Sequence, residues 1–283
     1  MAEVFRNIQD IRDVLKQKRD KNMRIGFVPT MGALHEGHGA LIDAAQAECD
    51  IVVVSIFVNL KQFAAGEDFE TYPRLLEKDL SFLEKRNVDY VFLPSNDEIY
   101  PDHFATMIKM SGPAEGLEAD IRPHFFHGVA TIVMKLFLIV FPDIAYFGEK
   151  DYQQLCVVKR CSEDLSMPVV IKGVPTRRES DGLAMSSRNL YLSEAERALA
   201  PFLYKALCQV AKDMHRGFDL EASCRKAKEF LLEKGFDKVD YIEIRAEETL
   251  EKAEKNTPLR VLAATYLGTT RLIDNIALDE TFE

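Results

Sequence analysis

With 283 residues, 47% of them hydrophobic, the chain is long enough to bury a sizeable core and to form one large or two modest domains. Its 46 acidic residues outnumber its 36 basic ones, and the net charge of -10 argues against nucleic acid as a nonspecific partner. No apolar run approaches the roughly 20 residues that span a bilayer. Five cysteines without a CxxC pair or a secretory signal predict reduced thiols and a cytoplasmic location.

Up to about residue 174, short apolar runs alternate with helical patterns. The predicted strands are Arg24–Val28, Ile51–Phe57, Val88–Leu93, Thr106–Met110, Asp143–Phe147 and Val169–Val174. The predicted helices are Asp10–Asp20, Ala40–Cys49, Leu75–Arg86, Val129–Ile139 and Lys150–Asp164. This alternation predicts an α/β fold with a doubly wound, Rossmann-like parallel sheet. Ligands of such sheets bind beyond the carboxyl ends of the strands, where the strand order reverses.

The pattern changes beyond this region, which predicts a first domain over 1–175 and a smaller α+β domain over 176–283. Ser193 and Glu196 form a capping box that is expected to open a long helix. A second helix is predicted from about Leu220 to Lys234. Three strands are predicted to follow, at Val239–Ile244, Arg260–Tyr266 and Arg271–Ile276.

The most informative segment runs from Pro29 to His38, PTMGALHEGH, between a predicted strand and a predicted helix. A helix N-terminus offers free N–H groups and the positive end of the helix dipole to an anion. His35 and His38 are three residues apart and are expected to share a face there. Their imidazoles can hold nucleotide phosphates and follow charge as it builds in a transition state. Two such histidines also occur by chance, but the strand, the helix and Gly32 and Gly37 favour an ATP site.

Two further segments follow predicted strands. Asn59 and Gln62 offer neutral amides that suit a substrate with hydroxyls and a carboxylate, although a turn Asn and a surface Gln are the simpler interpretation. Lys150 can reach phosphate oxygens, Asp151 can cap a helix or hold Mg²⁺ through water, and Gln154 lies one turn on. A plain charged helix start explains the second segment nearly as well.

A fourth segment, DGLAMSSRN, contains the hydroxyls of Ser186 and Ser187 and the guanidinium of Arg188. These groups can clamp phosphates, and such a loop could close over the β- and γ-phosphates from the second domain. The alternative is a polar interdomain linker, against which the apolar Leu183 counts. His124 and His127 are interpreted as structural or surface histidines.

These segments together resemble the pantothenate synthetase (pantoate–β-alanine ligase) family over nearly the whole chain. The resemblance rests on the motifs PTMGALHEGH, VNxxQF, Tyr72-Pro73-Arg74, FGEKDYQQL, VPTRRESDGLAMSSRN and the C-terminal LGTTRLIDN. It implies membership of the nucleotide-binding superfamily of class I aminoacyl-tRNA synthetases, with HxGH corresponding to their HIGH motif and MSSRN to their KMSKS loop.

The resemblance implies a two-step ligation with pantoate, β-alanine and ATP as substrates. The pantoate carboxylate attacks the α-phosphorus of ATP, which gives pantoyl adenylate and pyrophosphate. The amine of β-alanine then attacks the acyl carbon and releases AMP and pantothenate. Mg²⁺ as cofactor and a homodimer follow from the resemblance alone.

The resemblance also assigns residues to roles. The catalytic set is His35, His38, Lys150, Ser186, Ser187 and Arg188. The pantoate-binding set is Met31, Asn59, Gln62 and Gln154. The ATP-binding set is Pro29, Thr30, Met31, His38, Gly148, Lys150, Asp151, Met185, Ser186, Ser187 and Arg188. Asp79 and Asp151 are the candidates near Mg²⁺.

The sequence departs from the family pattern at several positions. Leu60 replaces the proline of VNPxQF, and His124 and Phe125 replace the Gly and His of RPGHFxGV. Leu138 and Phe141 replace polar residues. These changes bear on the substrate side of the site and leave the ATP motifs intact.

Two other interpretations are weighed. A nucleotidyltransferase that moves AMP onto a phosphorylated acceptor would share HxGH but lack the VNxxQF and FGEKDYQQL segments. A non-catalytic ATP-binding relative is supported only by these departures, and the intact His35, His38, Lys150 and Arg188 argue against it.

Overall fold

The computed structural model describes residues 2–63, 69–253 and 257–279, which form two compact units. The sheet unit comprises the described residues up to 111 together with 122–149 and 157–175. The C-terminal unit comprises 112–121, 150–156 and the described residues from 176 onward. Two segments that precede residue 175 thus group with the C-terminal unit. The domain boundary at residue 175 stays a prediction.

The strands of both units are numbered in chain order. They are β1 (Glu3–Phe5), β2 (Ile25–Thr30), β3 (Ile51–Ile56), β4 (Tyr90–Phe92), β5 (Ile144–Gly148), β6 (Val170–Val174), β7 (Lys238–Ala246), β8 (Leu259–Leu267) and β9 (Thr270–Ala277). The first six form one parallel sheet in the order β1-β4-β3-β2-β5-β6, and the last three form an antiparallel sheet in the order β7-β8-β9. The predicted fold class is confirmed.

The α-helices are numbered in the same way. They are α1 (Ile8–Arg19), α2 (Glu36–Gln46), α3 (Leu76–Lys85), α4 (Asn96–Ile99), α5 (Glu118–Ile121), α6 (Phe125–Val140), α7 (Tyr152–Asp164), α8 (Glu194–Leu199), α9 (Phe202–His215) and α10 (Leu220–Glu233). Among the residues described, no helix is both long and apolar enough to cross a membrane.

The strand order of the parallel sheet reverses at β2. From β2 the chain passes to β3 on one side, whereas β5 pairs with the other side of β2. The carboxyl ends of β2 and β5 therefore flank the switch point, where ligands of doubly wound sheets bind. β2 ends at Thr30 and β5 at Gly148, so the HxGH segment begins at this point.

Apolar side chains explain why these strands lie at the centre of the sheet. Ile25, Phe27 and Val28 of β2 are fully buried, and β3 is buried along its whole length. A continuous apolar run without alternation is typical of a parallel strand that is covered on both faces. In the C-terminal unit, α9 and α10 pack on the three-stranded sheet through a core that includes Leu207 and Leu231.

The strand predicted at Thr106–Met110 is wrong. The segment has no regular structure, because its backbone donors bond to side chains of α6 instead of a neighbouring strand. The Ile108 N–H donates to Thr131 Oγ1 over 2.9 Å, and the Met110 N–H donates to His127 Nδ1 over 3.3 Å. The short strand β1 was not predicted, because three residues give too little alternation to recognise.

Several helix boundaries also differ from the prediction. α2 begins at Glu36 rather than Ala40, and α6 begins at Phe125 rather than Val129. The helix predicted from Ser193 is two helices, α8 and α9, which are separated at Ala200 and Pro201. Proline lacks the N–H that a continuous helix needs at this point, so the first helix ends before it.

Candidate functional site

A tight loop joins β2 to α2 and is held from both sides. The Thr30 hydroxyl donates to the Ser55 carbonyl over 2.7 Å and accepts the Gly32 N–H over 3.2 Å. Gly32 has φ +83°, a conformation that favours glycine, and Ala33 follows with φ 50°. The loop geometry therefore depends on Gly32, whose conformation sets the direction of the backbone N–H groups that follow.

Asp79 holds the next two residues of this loop. Its carboxylate accepts the Ala33 N–H over 2.9 Å and the Leu34 N–H over 2.8 Å, and the residue is only 3% exposed. Burial raises the pKa of Asp79, although the two N–H bonds counteract that rise. The structure thus shows an anchor for the HxGH loop, and the proximity of Asp79 to Mg²⁺ stays a prediction.

His35 and His38 lie side by side at the start of α2. His35 is the N-cap residue, and its Nδ1 accepts the Gly37 N–H over 3.1 Å. His38 Nδ1 accepts the His35 N–H over 3.3 Å, and the ring centroids are 4.2 Å apart. Because each Nδ1 is an acceptor, a neutral ring has its proton on Nε2. Each imidazole can then donate from Nε2 to an anion at the helix N-terminus.

The predicted amide residues form a connected group in the sheet unit. Asn59 Nδ2 donates to Gln62 Oε1 over 3.1 Å, and Gln62 Nε2 donates to Met31 Sδ over 2.8 Å. A thioether is a weak acceptor, so a carboxylate or hydroxyl oxygen would compete well for that N–H. Asn59 is 1% exposed and Gln62 is 8% exposed. A substrate contact by Asn59 itself stays a prediction, since its amide is taken up by protein groups.

Gly128 of α6 packs directly under the turn that contains Gln62. Its carbonyl accepts a hydrogen bond from Asn59 Nδ2 over 3.2 Å. A Cβ at residue 128 would overlap the Lys61 carbonyl group and lie 2.8 Å from the Gln62 nitrogen. Only glycine fits this close approach of helix and turn. The sequence contains Gly128 but does not reveal that it packs against the backbone of Lys61 and Gln62.

Replacing Gly128 by alanine is therefore expected to displace Gln62. The added methyl group meets backbone atoms, which cannot move aside without shifting the turn. The resemblance predicts that Gln62 holds pantoate, so we expect the KM for pantoate to rise about tenfold or more, with a smaller change in the KM for ATP. Steady-state kinetics with each substrate varied in turn measure both constants. A Gly128→Ala enzyme with an unchanged KM for pantoate would show that the turn does not position this substrate.

Lys150 of the FGEKDYQQL segment belongs to the C-terminal unit, and Glu149 before it belongs to the sheet unit. Lys150 lies in a single 3₁₀ turn, Glu149–Asp151, so the α-helix begins at Tyr152 and not at Lys150 as predicted. The Lys150 Nζ is 3.8 Å from Asp151 Oδ1, and the Lys150 carbonyl accepts Asn275 Nδ2 over 2.8 Å. The Asn275 bond fixes the backbone of the turn, while the ammonium group extends beside a half-exposed carboxylate.

Gln153 is a buried anchor that sequence analysis missed. Its Oε1 accepts the Glu118 N–H over 3.1 Å, and its Nε2 donates to the Pro113 carbonyl over 3.0 Å and to the Gly116 carbonyl over 3.1 Å. Through these hydrogen bonds, the Gln153 side chain attaches residues 112–121 to the start of α7. Gln154, the next residue, is only partly buried and is free of this structural task.

The DGLAMSSRN segment is part of a hairpin-like loop rather than a plain linker. Residues 178 and 184 form an isolated antiparallel bridge, and Gly182 at the turn has φ +95°. A Cβ on Gly182 would lie 2.6 Å from the Tyr204 ring, so this glycine is also needed for packing. The hydrogen bond from Arg197 holds the pKa of Asp181, at the same turn, below its ordinary value.

The two serines of this loop differ in their environment. Ser186 caps a 3₁₀ turn over Ser187–Tyr191 and accepts the Arg188 N–H over 3.2 Å. Ser187 is 8% exposed. The sequence therefore places two hydroxyls and a guanidinium on consecutive residues of a capped turn, which is a suitable arrangement for binding phosphate oxygens.

Comparison with known proteins decides the family. The sequence model of a family described as pantoate–β-alanine ligase matches residues 3–277. The pantothenate synthetase of Mesorhizobium japonicum is 48% identical, over 97% of this chain and 97% of that protein. The pantothenate synthetase of Aquifex aeolicus is also 48% identical, over 97% of this chain and 98% of its own length. The chain belongs to the pantoate–β-alanine ligase family.

Solved structures agree with this assignment. The crystal structure of pantothenate synthetase from Thermus thermophilus superposes with a TM-score of 0.92 at 43% identity, covering 98% of this chain and 99% of that one. The pantoate–β-alanine ligase of Francisella tularensis, complexed with beta-gamma ATP and β-alanine, gives a TM-score of 0.85 at 35% identity. It covers 99% of both chains.

The departures from the family pattern leave the amide group intact. Leu60 is 52% exposed, and Asn59 caps the turn through the Lys61 N–H without help from a proline. The Phe125 ring lies under the Arg122 guanidinium at 3.8 Å, and that guanidinium donates to the Gln62 carbonyl over 3.3 Å. Phe125 thus supports the same turn through Arg122. Leu138 and Phe141 are exposed at the end of α6.

Proposed function

We propose that this member of the family forms pantothenate through a pantoyl adenylate. The pantoate carboxylate attacks the α-phosphorus of ATP and pyrophosphate leaves; the β-alanine amine then attacks the acyl carbon and AMP leaves. The observation that supports this best is the pair of Nε2 donors at the start of α2, beside the switch point of the sheet. Donors fixed before the reaction stabilise developing phosphate charge without reorganising.

The proposed roles are those that the family resemblance assigns. His35 and His38 of the sheet unit are proposed to donate to phosphate oxygens, and Lys150 and Arg188 of the C-terminal unit are proposed to supply positive charge to phosphates. Ser186 and Ser187 contribute hydroxyl groups to the same task. Backbone groups from Pro29 and Thr30, with Gly148, Met185 and Asp151, are proposed to line the ATP site. Gln62, Gln154 and Met31 are proposed to hold pantoate, with Asn59 behind them.

We also propose that Mg²⁺ enters with ATP rather than as a resident ion. In the described part of the chain, no group of three or more His, Cys, Asp or Glu side chains could hold a metal. Asp151 fits an ion of this kind, because Mg²⁺ in nucleotide sites takes one or two carboxylates together with phosphate oxygens and water. The bound ion would neutralise phosphate charge. Asp79 fits less well, since both its oxygens already accept N–H groups.

A homodimer and a cytoplasmic location complete the proposal. The homodimer rests on the family resemblance alone, and the cytoplasmic location rests on the reduced thiols that the cysteine usage predicts. Size-exclusion chromatography with light scattering measures the first directly. A mass close to twice the chain's 32.2 kDa is expected, and a mass near the single-chain value would contradict the dimer.

Product analysis tests the reaction. The enzyme is incubated with ATP and Mg²⁺ plus pantoate, β-alanine or both, and AMP and pyrophosphate are quantified. We expect multiple turnovers to AMP only with both substrates. Absence of pantoate-dependent pyrophosphate release would favour a nucleotidyltransferase or a non-catalytic ATP-binding protein instead.

Gln154 offers a test of the pantoate side. Replacing Gln154 by alanine is expected to raise the KM for pantoate by about tenfold while changing the KM for ATP by less, because one or two substrate hydrogen bonds are lost. Gln153→Ala is the matched control. Since Gln153 bonds only to protein groups in the described structure, its loss should lower thermal stability and leave the ratio of the two KM values unchanged. Equal changes in both constants for Gln154→Ala would remove the assignment.

A further inference from the structure

Tyr100 contacts the oxygen of the Asn59 side-chain amide, whereas Gln62 contacts its nitrogen. Its hydroxyl donates to Asn59 Oδ1 over 2.7 Å. The ring packs against Phe104, with centroids 4.9 Å apart, and against Phe57 at 6.1 Å. The Lys61 Nζ lies 5.0 Å from the ring centroid. Tyr100 is therefore held in a fixed position from which its hydroxyl reaches the buried asparagine.

Two backbone groups determine which way the Asn59 amide faces. The Lys61 N–H can only donate, and it bonds to Asn59 Oδ1 over 3.3 Å. The Gly128 carbonyl can only accept, and it bonds to Asn59 Nδ2 over 3.2 Å. The oxygen and nitrogen of Asn59 are thus assigned by partners of unambiguous polarity. It follows that the Tyr100 hydroxyl must donate to Oδ1.

The same reasoning extends to Gln62. Because Asn59 presents Nδ2 to it, the oxygen of the Gln62 amide is used as the acceptor, and Nε2 faces away from Asn59 towards Met31. The group that Gln62 can offer to a ligand is therefore an N–H donor. Such a donor matches a carboxylate or hydroxyl oxygen of an acid substrate, and it would leave a cationic substrate group unpaired.

Burial keeps Tyr100 in the form that this arrangement needs. Loss of solvent contact raises the pKa of the Tyr100 phenol well above its ordinary value. The hydroxyl accordingly retains its proton over the pH range in which the enzyme would work. An ionised phenolate would be an acceptor facing an acceptor, and the hydrogen bond to Asn59 Oδ1 would be lost.

We propose that Tyr100 is a positioning residue for the acid substrate, acting through Asn59 to hold the Gln62 amide with its N–H presented. Tyr100 is not itself a catalytic residue, and the chain of contacts runs from the Tyr100 hydroxyl to Asn59 and then to Gln62. The inference rests on the proposed function, because it assumes that Gln62 binds pantoate. It adds a residue that lies outside every motif recognised in the sequence.

The test is Tyr100→Phe, which removes the hydroxyl and retains the ring contacts. We expect the KM for pantoate to rise roughly five- to tenfold, the effect of one lost hydrogen bond, with the KM for ATP within about twofold of the parent. Tyr146→Phe is the matched control, since Tyr146 is 1% exposed and its hydroxyl lies 3.5 Å from Cys49 Sγ in the same unit. Its KM values for both substrates should not change.

A double substitution separates positioning from a general packing effect. If Tyr100 acts only through Gln62, the Tyr100→Phe change should have no further effect on the KM for pantoate in a Gln62→Ala background. Phe104→Leu, which alters the ring packing but leaves the hydroxyl in place, should leave the ratio of the two KM values near that of the parent.

Several outcomes would overturn the proposal. One is an equal rise of both KM values in Tyr100→Phe, and another is an effect that persists undiminished in the Gln62→Ala background. A Tyr100→Phe protein that does not fold would also contradict it, because a positioning role requires an intact fold. These outcomes differ from failure of the proposed function, in which the parent enzyme itself shows no pantoate-dependent AMP formation.

Discussion

Replacing His38 by alanine is expected to slow pantoyl adenylate formation on the order of 100-fold or more. The imidazole provides an Nε2 donor at the N-terminus of α2, where negative charge on the phosphates would increase during attack on ATP. The measurement is pyrophosphate release in a single turnover with ATP and pantoate. Circular dichroism reports whether the fold is retained, because His38 Nδ1 also caps the backbone of His35.

Two further substitutions at this position separate the capping nitrogen from the donor. An asparagine can replace Nδ1 as the acceptor but has no atom near Nε2, whereas a glutamine places an amide N–H near Nε2. We expect His38→Asn to be as slow as His38→Ala, and His38→Gln to recover part of the rate. Single-turnover adenylation at the parent rate in His38→Asn would remove the role assigned to Nε2.

The second large effect is expected on stability, from Arg271→Met in the C-terminal unit. The Arg271 guanidinium bonds to both oxygens of Glu118, over 2.6 and 2.8 Å, and to Asp240 over 2.9 Å. The Asp240 side chain is 1% exposed and that of Glu118 is 8% exposed. Methionine fills similar space without charge, so two buried carboxylates lose the guanidinium, although Asp240 keeps Lys238 and Glu118 keeps the Tyr241 hydroxyl. Breaking such a pair costs about 3–5 kcal/mol of the free energy of unfolding.

The loss should depend on pH in a defined direction. Burial alone would raise the pKa of Asp240, but hydrogen bonds from Lys238 and Arg271 hold that pKa below its ordinary value of 3.8. A lowered pKa in the folded state stabilises the protein above that value, and the stabilisation is lost as the pH falls. The deficit of Arg271→Met should therefore be largest near neutral pH and smaller below about pH 4.

Urea unfolding of the parent and the variant measures this deficit. Arg160→Met is the control, because Arg160 pairs with Asp164 on an exposed face and such pairs contribute less than about 1 kcal/mol. A deficit for Arg271→Met no larger than that of the control, or one that grows as the pH falls, would contradict the account of the buried ion pair.

The central strands could be predicted from the sequence within one or two residues. β2, β3 and β5 are continuous apolar runs, and a polar turn or loop bounds each of them. The start of α2 was predicted four residues too late, because histidine is not among the favoured N-cap residues that mark a helix start. The strand predicted at residues 106–110 failed for a different reason. The backbone N–H groups of Ile108 and Met110 bond to side chains of α6, and no local sequence pattern reveals these partners.

The same limit applies to the site. The sequence predicted the motif histidines and the amides as site residues, because they lie in segments that follow apolar strands, and their roles stay predictions. It could not identify Asp79 as the anchor of the loop, since the two are more than 40 positions apart. Glu118 and Arg271 are 153 positions apart. Tyr100 follows a helix of four residues and belongs to no motif, so its bond to Asn59 is visible only in the folded chain.

Transfer of an isotope tests the adenylate most directly. Pantoate labelled with ¹⁸O in its carboxyl group is converted with ATP and unlabelled β-alanine, and the products are analysed by mass spectrometry. Attack of the carboxylate on the α-phosphorus followed by cleavage of the acyl–oxygen bond predicts one ¹⁸O atom in each AMP. Label in inorganic phosphate, or AMP without label, would show that the acid is not activated as an adenylate and would contradict the proposed reaction.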